Sequence, residues 1–266
     1  MAGPDLPENA YRVRSERGQL QLGTWITMVR TPGVLTLLQA AGLDYARLDM
    51  EHSPFSMETV ADMAALARAM SFPLVVRPPE GSREWITRLL DAGVWNLHIP
   101  GVESGEQAAA VVAATRYAPL GERGMYGFGP HTGYRVRPPA EHTAAANARV
   151  HVTAMLESRG AFERLDEIAA VPGIDALTIG PTDLAQSLGV LGAPSQSKVL
   201  REHRVRLAEA ARKHGKAVAM AVDSIEAVRE MLALGATIVN YSSDAAILRS
   251  SYAAAVTEIR QSKEAS

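Results

Sequence analysis

Short apolar runs alternate with longer amphipathic stretches along almost the whole chain. Eight runs read as strands, at 22–27, 45–49, 73–77, 95–100, 151–156, 174–179, 216–221 and 237–241. They are short and bounded by Gly, Pro or a charged residue. Between them, apolar residues recur every three or four positions. That spacing predicts helices at 34–41, 57–70, 82–93, 104–116, 140–148, 161–170, 197–214, 224–234 and 244–260, with a polar helix at 8–18 ahead of the first strand. Pro32 and Ser56 are good helix starts, and Gly42 and Gly93 are stops. Two segments break the rhythm. Residues 117–137 are rich in Gly, Tyr and Arg, and 180–195 is also irregular. Long aperiodic loops in a compact domain usually carry function or move.

Strict alternation of short strands and helices argues for parallel pairing. Eight such units in roughly 250 residues predict an α/β fold, a closed (β/α)₈ TIM barrel forming a single domain over 1–266, with its core at about 20–260. A doubly wound open sheet is the competing arrangement. It would need a glycine-rich dinucleotide loop after the first strand, and none is there.

Composition narrows the function. The chain has 266 residues, 47% of them hydrophobic, enough for a large core. A net charge of −2 without a long basic run speaks against nucleic acid, and no stretch approaches a membrane span. There is no cysteine, which removes disulfides, thiolate nucleophiles and zinc–sulfur sites. Residues 1–9 are polar and lack the apolar core of a signal peptide, so the cytoplasm is the expected compartment.

In such barrels chemistry sits where the strands end. Strand two ends at Asp49, followed by Glu51 and His52; strand three ends at Arg77; strand five ends at Glu157; strand six runs into Gly180-Pro181-Thr182-Asp183. Asp49 and His52 have the makings of an oriented acid/base pair. They also fit a polar strand exit whose Asp caps a helix. Glu157 and Asp183, on neighbouring strands, suit a hard divalent cation such as Mg²⁺, Mn²⁺ or Co²⁺. A salt bridge for the first and a helix cap for the second is the plainer reading. Arg77 suits a carboxylate or an enolate, or an interstrand ion pair. The backbone of Gly180, Pro181 and Thr182 suits a carboxylate, or is a plain turn. His131 is placed to reach the mouth from the long loop. His98 points into the barrel or the helix layer.

The chain also resembles a known family. Gly23-Thr24-Trp25, Asp49-Met50-Glu51-His52-Ser53-Pro54, Val76-Arg77-Pro78, Leu90-Asp91-Ala92-Gly93, Arg116-Tyr117, Leu156-Glu157-Ser158 and Gly180-Pro181-Thr182-Asp183-Leu184 follow in the order of the HpcH/HpaI class II, metal-dependent 2-oxo-acid aldolases. The resemblance runs from about residue 20 to 250. It implies a carbon–carbon lyase that forms or cleaves 4-hydroxy-2-oxo acids through a metal-stabilised pyruvate enolate. Its partners would be a small 2-oxo acid and an aldehyde. It implies Glu157 and Asp183 as metal ligands, Arg77 as the enolate stabiliser, and His52, oriented by Asp49, as acid/base. Asp91 would contribute at a subunit interface. No PLP, NAD or Schiff-base lysine is implied, and none of the few lysines falls on the rim, the nearest being Lys198 and Lys216. A hexamer built as a trimer of dimers is implied, with the terminal helices in its contacts.

Some positions depart from the family pattern. Met155 stands where a pyruvate-binding glutamine is usual, and methionine donates no hydrogen bond. Trp95, the 125–134 loop and 240–244 also differ. These departures direct attention to the substrate. The alternatives are condensation or decarboxylation of oxaloacetate through the same enolate chemistry, and a non-catalytic 2-oxo-acid-binding barrel.

Overall fold

The computed structural model describes residues 8–264; the polar leader at 1–7 and the last two residues lie outside the described residues. Eight strands form in chain order: β1 Gln21–Ile26, β2 Tyr45–Asp49, β3 Leu74–Arg77, β4 Asn96–Ile99, β5 His151–Leu156, β6 Ala176–Ile179, β7 Ala217–Val222 and β8 Ile238–Ser243. Each pairs in parallel with its neighbours, and β8 returns to β1, so the barrel is closed. The predicted strands all form, most of them trimmed at the start. The open sheet is ruled out by closure.

Two helical predictions change. The single helix expected at 161–170 is two, Arg159–Glu163 and Leu165–Ala170. The irregular 180–195 segment contains a short helix, Pro181–Ser187, begun by the proline.

Side chains of β2, β3, β5 and β6 are buried throughout, as strands covered on both faces must be. The apolar core lies between the barrel and its helices, where Leu48, Val76, Leu97 and Leu156 face Val60, Ile86 and Val111. The barrel interior is more polar. The helix Ala10–Glu16 closes its lower end: Tyr11 is fully buried, with its ring 5.0 Å from Tyr45 and 4.9 Å from His151. Thus the N-terminal helix packs its buried face, Tyr11 and Ser15, within its own chain. At the upper end, Asp244 ties the loop after β1 to the last helix. Its carboxylate accepts the N–H groups of Thr27, Met28 and Val29 at 2.8–3.0 Å. Among the described residues no helix is long and apolar enough to cross a membrane.

Candidate active site

The upper ends of the strands surround a cavity of about 460 Å³. His52, Arg77, Met155 and the 180–183 turn line it, and Trp25, Arg47 and His98 line it deeper in the barrel. Parallel register sets Asp49 directly beside Arg77. Arg77 donates from Nε to Asp49 Oδ1 at 2.9 Å and from Nη2 to Oδ2 at 2.7 Å, a bidentate fork. Its Nη1 is 3.0 Å from Glu51 Oε2, and its guanidinium carbon lies 4.6 Å from the Trp25 ring centre. Both Asp49 and Arg77 are buried, so removing either partner costs about 3–5 kcal/mol.

The interstrand ion pair is therefore real, and it changes the role expected of Asp49. Its carboxylate does not orient the imidazole of His52. Asp49 Oδ1 accepts the main-chain N–H groups of Glu51 at 3.0 Å and His52 at 3.3 Å, which shapes the turn. The turn carries the His52 side chain out over the rim, 62% exposed, with Nε2 3.7 Å from Glu51 Oε2. Glu51 thus stands between the guanidinium and the imidazole. Burial pushes its carboxyl above the usual range; Arg77 and His52 oppose this, and Asp49 and Asp183 add to it.

Glu157 follows β5, and its Oε1 accepts the Gly101 N–H at 2.7 Å. Gly101, after Pro100, has φ +60°, a left-handed conformation that glycine adopts at little cost. A backbone hydrogen bond thus holds Glu157 in place of the salt bridge that the plainer reading supposed. Burial pushes its carboxyl up to about 7; the Gly101 bond opposes this, and the nearby carboxylates of Glu51 and Asp183 add to it. Asp183 lies in the first turn of Pro181–Ser187, where the helix dipole favours an acid. That helix has no side-chain cap, so Asp183 is not its cap; it lines the cavity instead. Gly180 is required by close approach. A Cβ there would lie 2.3 Å from Glu157 Oε2 and 2.5 Å from Met155 Cε.

Other expected residues fall elsewhere. His131 is buried and bonded within its loop, Nε2 to the Tyr126 carbonyl at 2.7 Å. It lines a separate small cavity with Trp95, Arg123 and His142 rather than the mouth. Trp95 precedes β4, so it sits at the strand-start side, away from the substrate end. Asp91 pairs with Arg123 of its own chain at 2.7 Å, pinning the long loop to the helix Arg83–Asp91. Lys216 lies at a strand start, its ammonium bonded to the carbonyls of Val171 and Ile174. Sequence reasoning missed Gly101 as a donor, although a Pro-Gly pair straight after a strand was a signal. It also missed Arg47, although alternation with Asp49 placed it inward.

The relatives of this closed parallel barrel make it an enzyme, a carbon–carbon lyase. Residues 21–251 match the sequence model of the HpcH/HpaI aldolase/citrate lyase family, and the chain belongs to that family. It is 34% identical to the 5-keto-4-deoxy-D-glucarate aldolase of Klebsiella pneumoniae over 91% of this chain and 93% of that one. It is 38% identical to the hydroxypyruvate/pyruvate aldolase of Sagittula stellata over 73% of this chain and 76% of that one. The crystal structure of an HpcH/HpaI aldolase from Desulfitobacterium hafniense superposes with a TM-score of 0.88 at 30% identity, covering 94% of this chain and 96% of that one.

Proposed function

We propose that this lyase forms and cleaves 4-hydroxy-2-oxo acids through the enolate of a pyruvate-like 2-oxo acid. The observation that carries this reading is the Asp49–Arg77–Glu51 clamp set on the same cavity as Asp183, beside Glu157. Glu157 and Asp183 fit a divalent cation. The donors are all oxygen, and a cation beside Glu157 would offset the burial that chiefly raises its carboxyl, to which Glu51 and Asp183 add. Among the described residues no three His, Cys, Asp or Glu converge, so substrate and water are left to complete the shell. When bound, the cation would hold the 2-oxo acid and draw charge from its carbonyl.

The remaining work falls to the chain. Backbone at Gly180 to Thr182 receives the substrate carboxylate. In cleavage, His52 takes the proton of the 4-hydroxyl, the C3–C4 bond breaks, and the electron pair moves to the C2 oxygen. Arg77 donates to that oxyanion, and its fork to Asp49 keeps the guanidinium in place as charge develops. Glu51 supports the imidazolium. An aldehyde leaves, and the proton held by His52 returns, through water, to C3 of the enolate. Met155 offers only an apolar contact. The family's hexamer, a trimer of dimers, gives a use for the last helix, Asp244–Glu264, whose Tyr252 and Ile259 are 71% and 69% exposed.

Pyruvate release from a panel of 4-hydroxy-2-oxo acids, followed with a coupled dehydrogenase, tests the reading. Release that saturates with substrate and requires added Mn²⁺ is expected, with kcat lower by about 10²–10⁴ in His52→Ala. A panel with no turnover overturns it. A second expectation concerns Gly180. Gly180→Ala displaces Glu157, so Mn²⁺ binding, read by calorimetric titration, weakens by about tenfold or more, while packing loses about 1–3 kcal/mol. Unchanged affinity would show that Glu157 does not hold the ion.

A further inference from the structure

Glu157 is held by a stretch of backbone. The chain from Pro100 to Glu103 passes over the end of β5. There Val102 donates its main-chain N–H to the Met155 carbonyl at 3.1 Å, and Gly101 donates to Glu157 Oε1 at 2.7 Å. The two oxygens of Glu157 are therefore unequal. Oε1 is engaged by the backbone. Oε2 is turned to Gly180 on the cavity wall, where a Cβ would come within 2.3 Å of it. The aim of the Gly101 N–H decides this division, yet a glycine at φ +60° is free to swivel unless its neighbours hold it.

Gln107 holds it. The residue lies in the first turn of the helix Gly105–Thr115. Its Nε2 donates to the Gly101 carbonyl at 3.1 Å, and its Oε1 accepts the Glu103 N–H at 2.7 Å. The peptide between Gly101 and Val102 is thus pinned on both edges, by Gln107 at the oxygen and by Met155 at the nitrogen. The helix does not need this side chain for its own start. Ser104 Oγ already accepts the Gln107 main-chain N–H at 3.1 Å. In a capping box the third residue reaches back to the N-cap N–H; here it reaches past Ser104 to Glu103 and Gly101. The same loop is braced from the other side. Glu103 Oε2 accepts the Ser158 hydroxyl at 2.6 Å, and the Glu103 carbonyl accepts Arg164 Nε at 2.7 Å.

We propose that Gln107 is a positioning residue of the metal site. By clamping residues 101–103 it keeps the Gly101 N–H on Glu157 Oε1 and leaves Oε2 for the cation. This rests on reading Glu157 as a metal ligand.

The test is calorimetric titration of Mn²⁺ into the ion-free protein, as wild type, Gln107→Met, Gln107→Glu, Glu157→Gln and the Gln107 variants combined with Glu157→Gln. Gln107→Met removes both bonds and is expected to weaken Mn²⁺ binding by about tenfold, as loss of an outer-shell partner does. Gln107→Glu keeps the bond to the Glu103 N–H and suits the first turn of a helix. It sets an acceptor against the Gly101 carbonyl, and so is expected to weaken binding about as much. In the Glu157→Gln background either change alters affinity by less than about twofold, because both residues act through one contact. A purely structural role for Gln107 would lower the urea midpoint and leave affinity alone. Wild-type affinity in Gln107→Glu, or full additivity with Glu157→Gln, overturns the positioning role by itself. Should Gln107→Met fail to fold, Gln107→Glu and its combination with Glu157→Gln decide. If the wild type binds no Mn²⁺, or Glu157→Gln binds it as tightly as the wild type, the ligand assignment falls and the positioning role with it.

Discussion

Glu157→Gln is expected to lower lyase turnover by about a thousandfold and Mn²⁺ affinity by about a hundredfold or more. The glutamine keeps the shape and can still accept the Gly101 N–H. It loses the charge, and about 4 kcal/mol of transition-state stabilisation is a reasonable share for one ligand of a Lewis-acid site. The pH dependence follows from burial, which pushes the Glu157 carboxyl up to about 7. Below that pH the empty site holds a proton that the ion has to displace. Apparent Mn²⁺ affinity therefore falls by about tenfold per pH unit as pH drops below about 7, and Glu157→Gln flattens the slope. Stability of the ion-free protein runs in the opposite sense. Between the ordinary carboxylate range and about 7, the folded state keeps a proton that the unfolded chain has given up, so stability decreases as pH rises through that window. Urea midpoints at pH 5 and pH 8, without metal, should separate the wild type from Glu157→Gln. An affinity independent of pH would contradict the assignment.

Arg77→Lys is the second large effect. Lysine keeps the charge but cannot span both oxygens of Asp49, which Arg77 meets at 2.9 and 2.7 Å. The expected loss is about 10²–10³ in kcat/KM, the range for removing one preorganised oxyanion donor. It falls mainly on kcat if the guanidinium acts on the enolate. Arg77→Ala adds a stability cost of about 3–5 kcal/mol because buried Asp49 loses its partner. Comparing kcat/KM with the unfolding midpoint across the two variants separates chemistry from folding. A Lys variant within threefold of wild type would leave Arg77 a purely structural role.

Most of the fold could be read from alternation. Runs such as 74–76 and 154–156 are too short and too apolar to be anything but buried strands once helices flank them. The rim residues were also legible, because a charged residue at the end of an apolar strand has few other places to be. What the pattern could not supply was register. Nothing in the order of residues says that Asp49 and Arg77 share a level, yet that level commits Asp49 to Arg77 rather than to His52. Loop direction was equally hidden. His131 was expected at the mouth, but a bond to the Tyr126 carbonyl turns it back into its own loop. Trp95 was assigned to the substrate end because it departs from the family pattern, but it lies just ahead of β4, at the end of the barrel opposite the mouth. The clamp also raised the standing of Glu51, which joins Arg77 to His52.

The central claim is that Glu157, Asp183 and Arg77 together stabilise an enolate. It is tested most directly by incubating the protein with pyruvate in D₂O and following the methyl signal by NMR, with Mn²⁺ or Mg²⁺ and with chelator. The account predicts exchange of the methyl protons that needs the ion and falls to background in Glu157→Gln and Arg77→Lys. Exchange at the rate of the protein-free control, or exchange that persists undiminished in both variants, would contradict it.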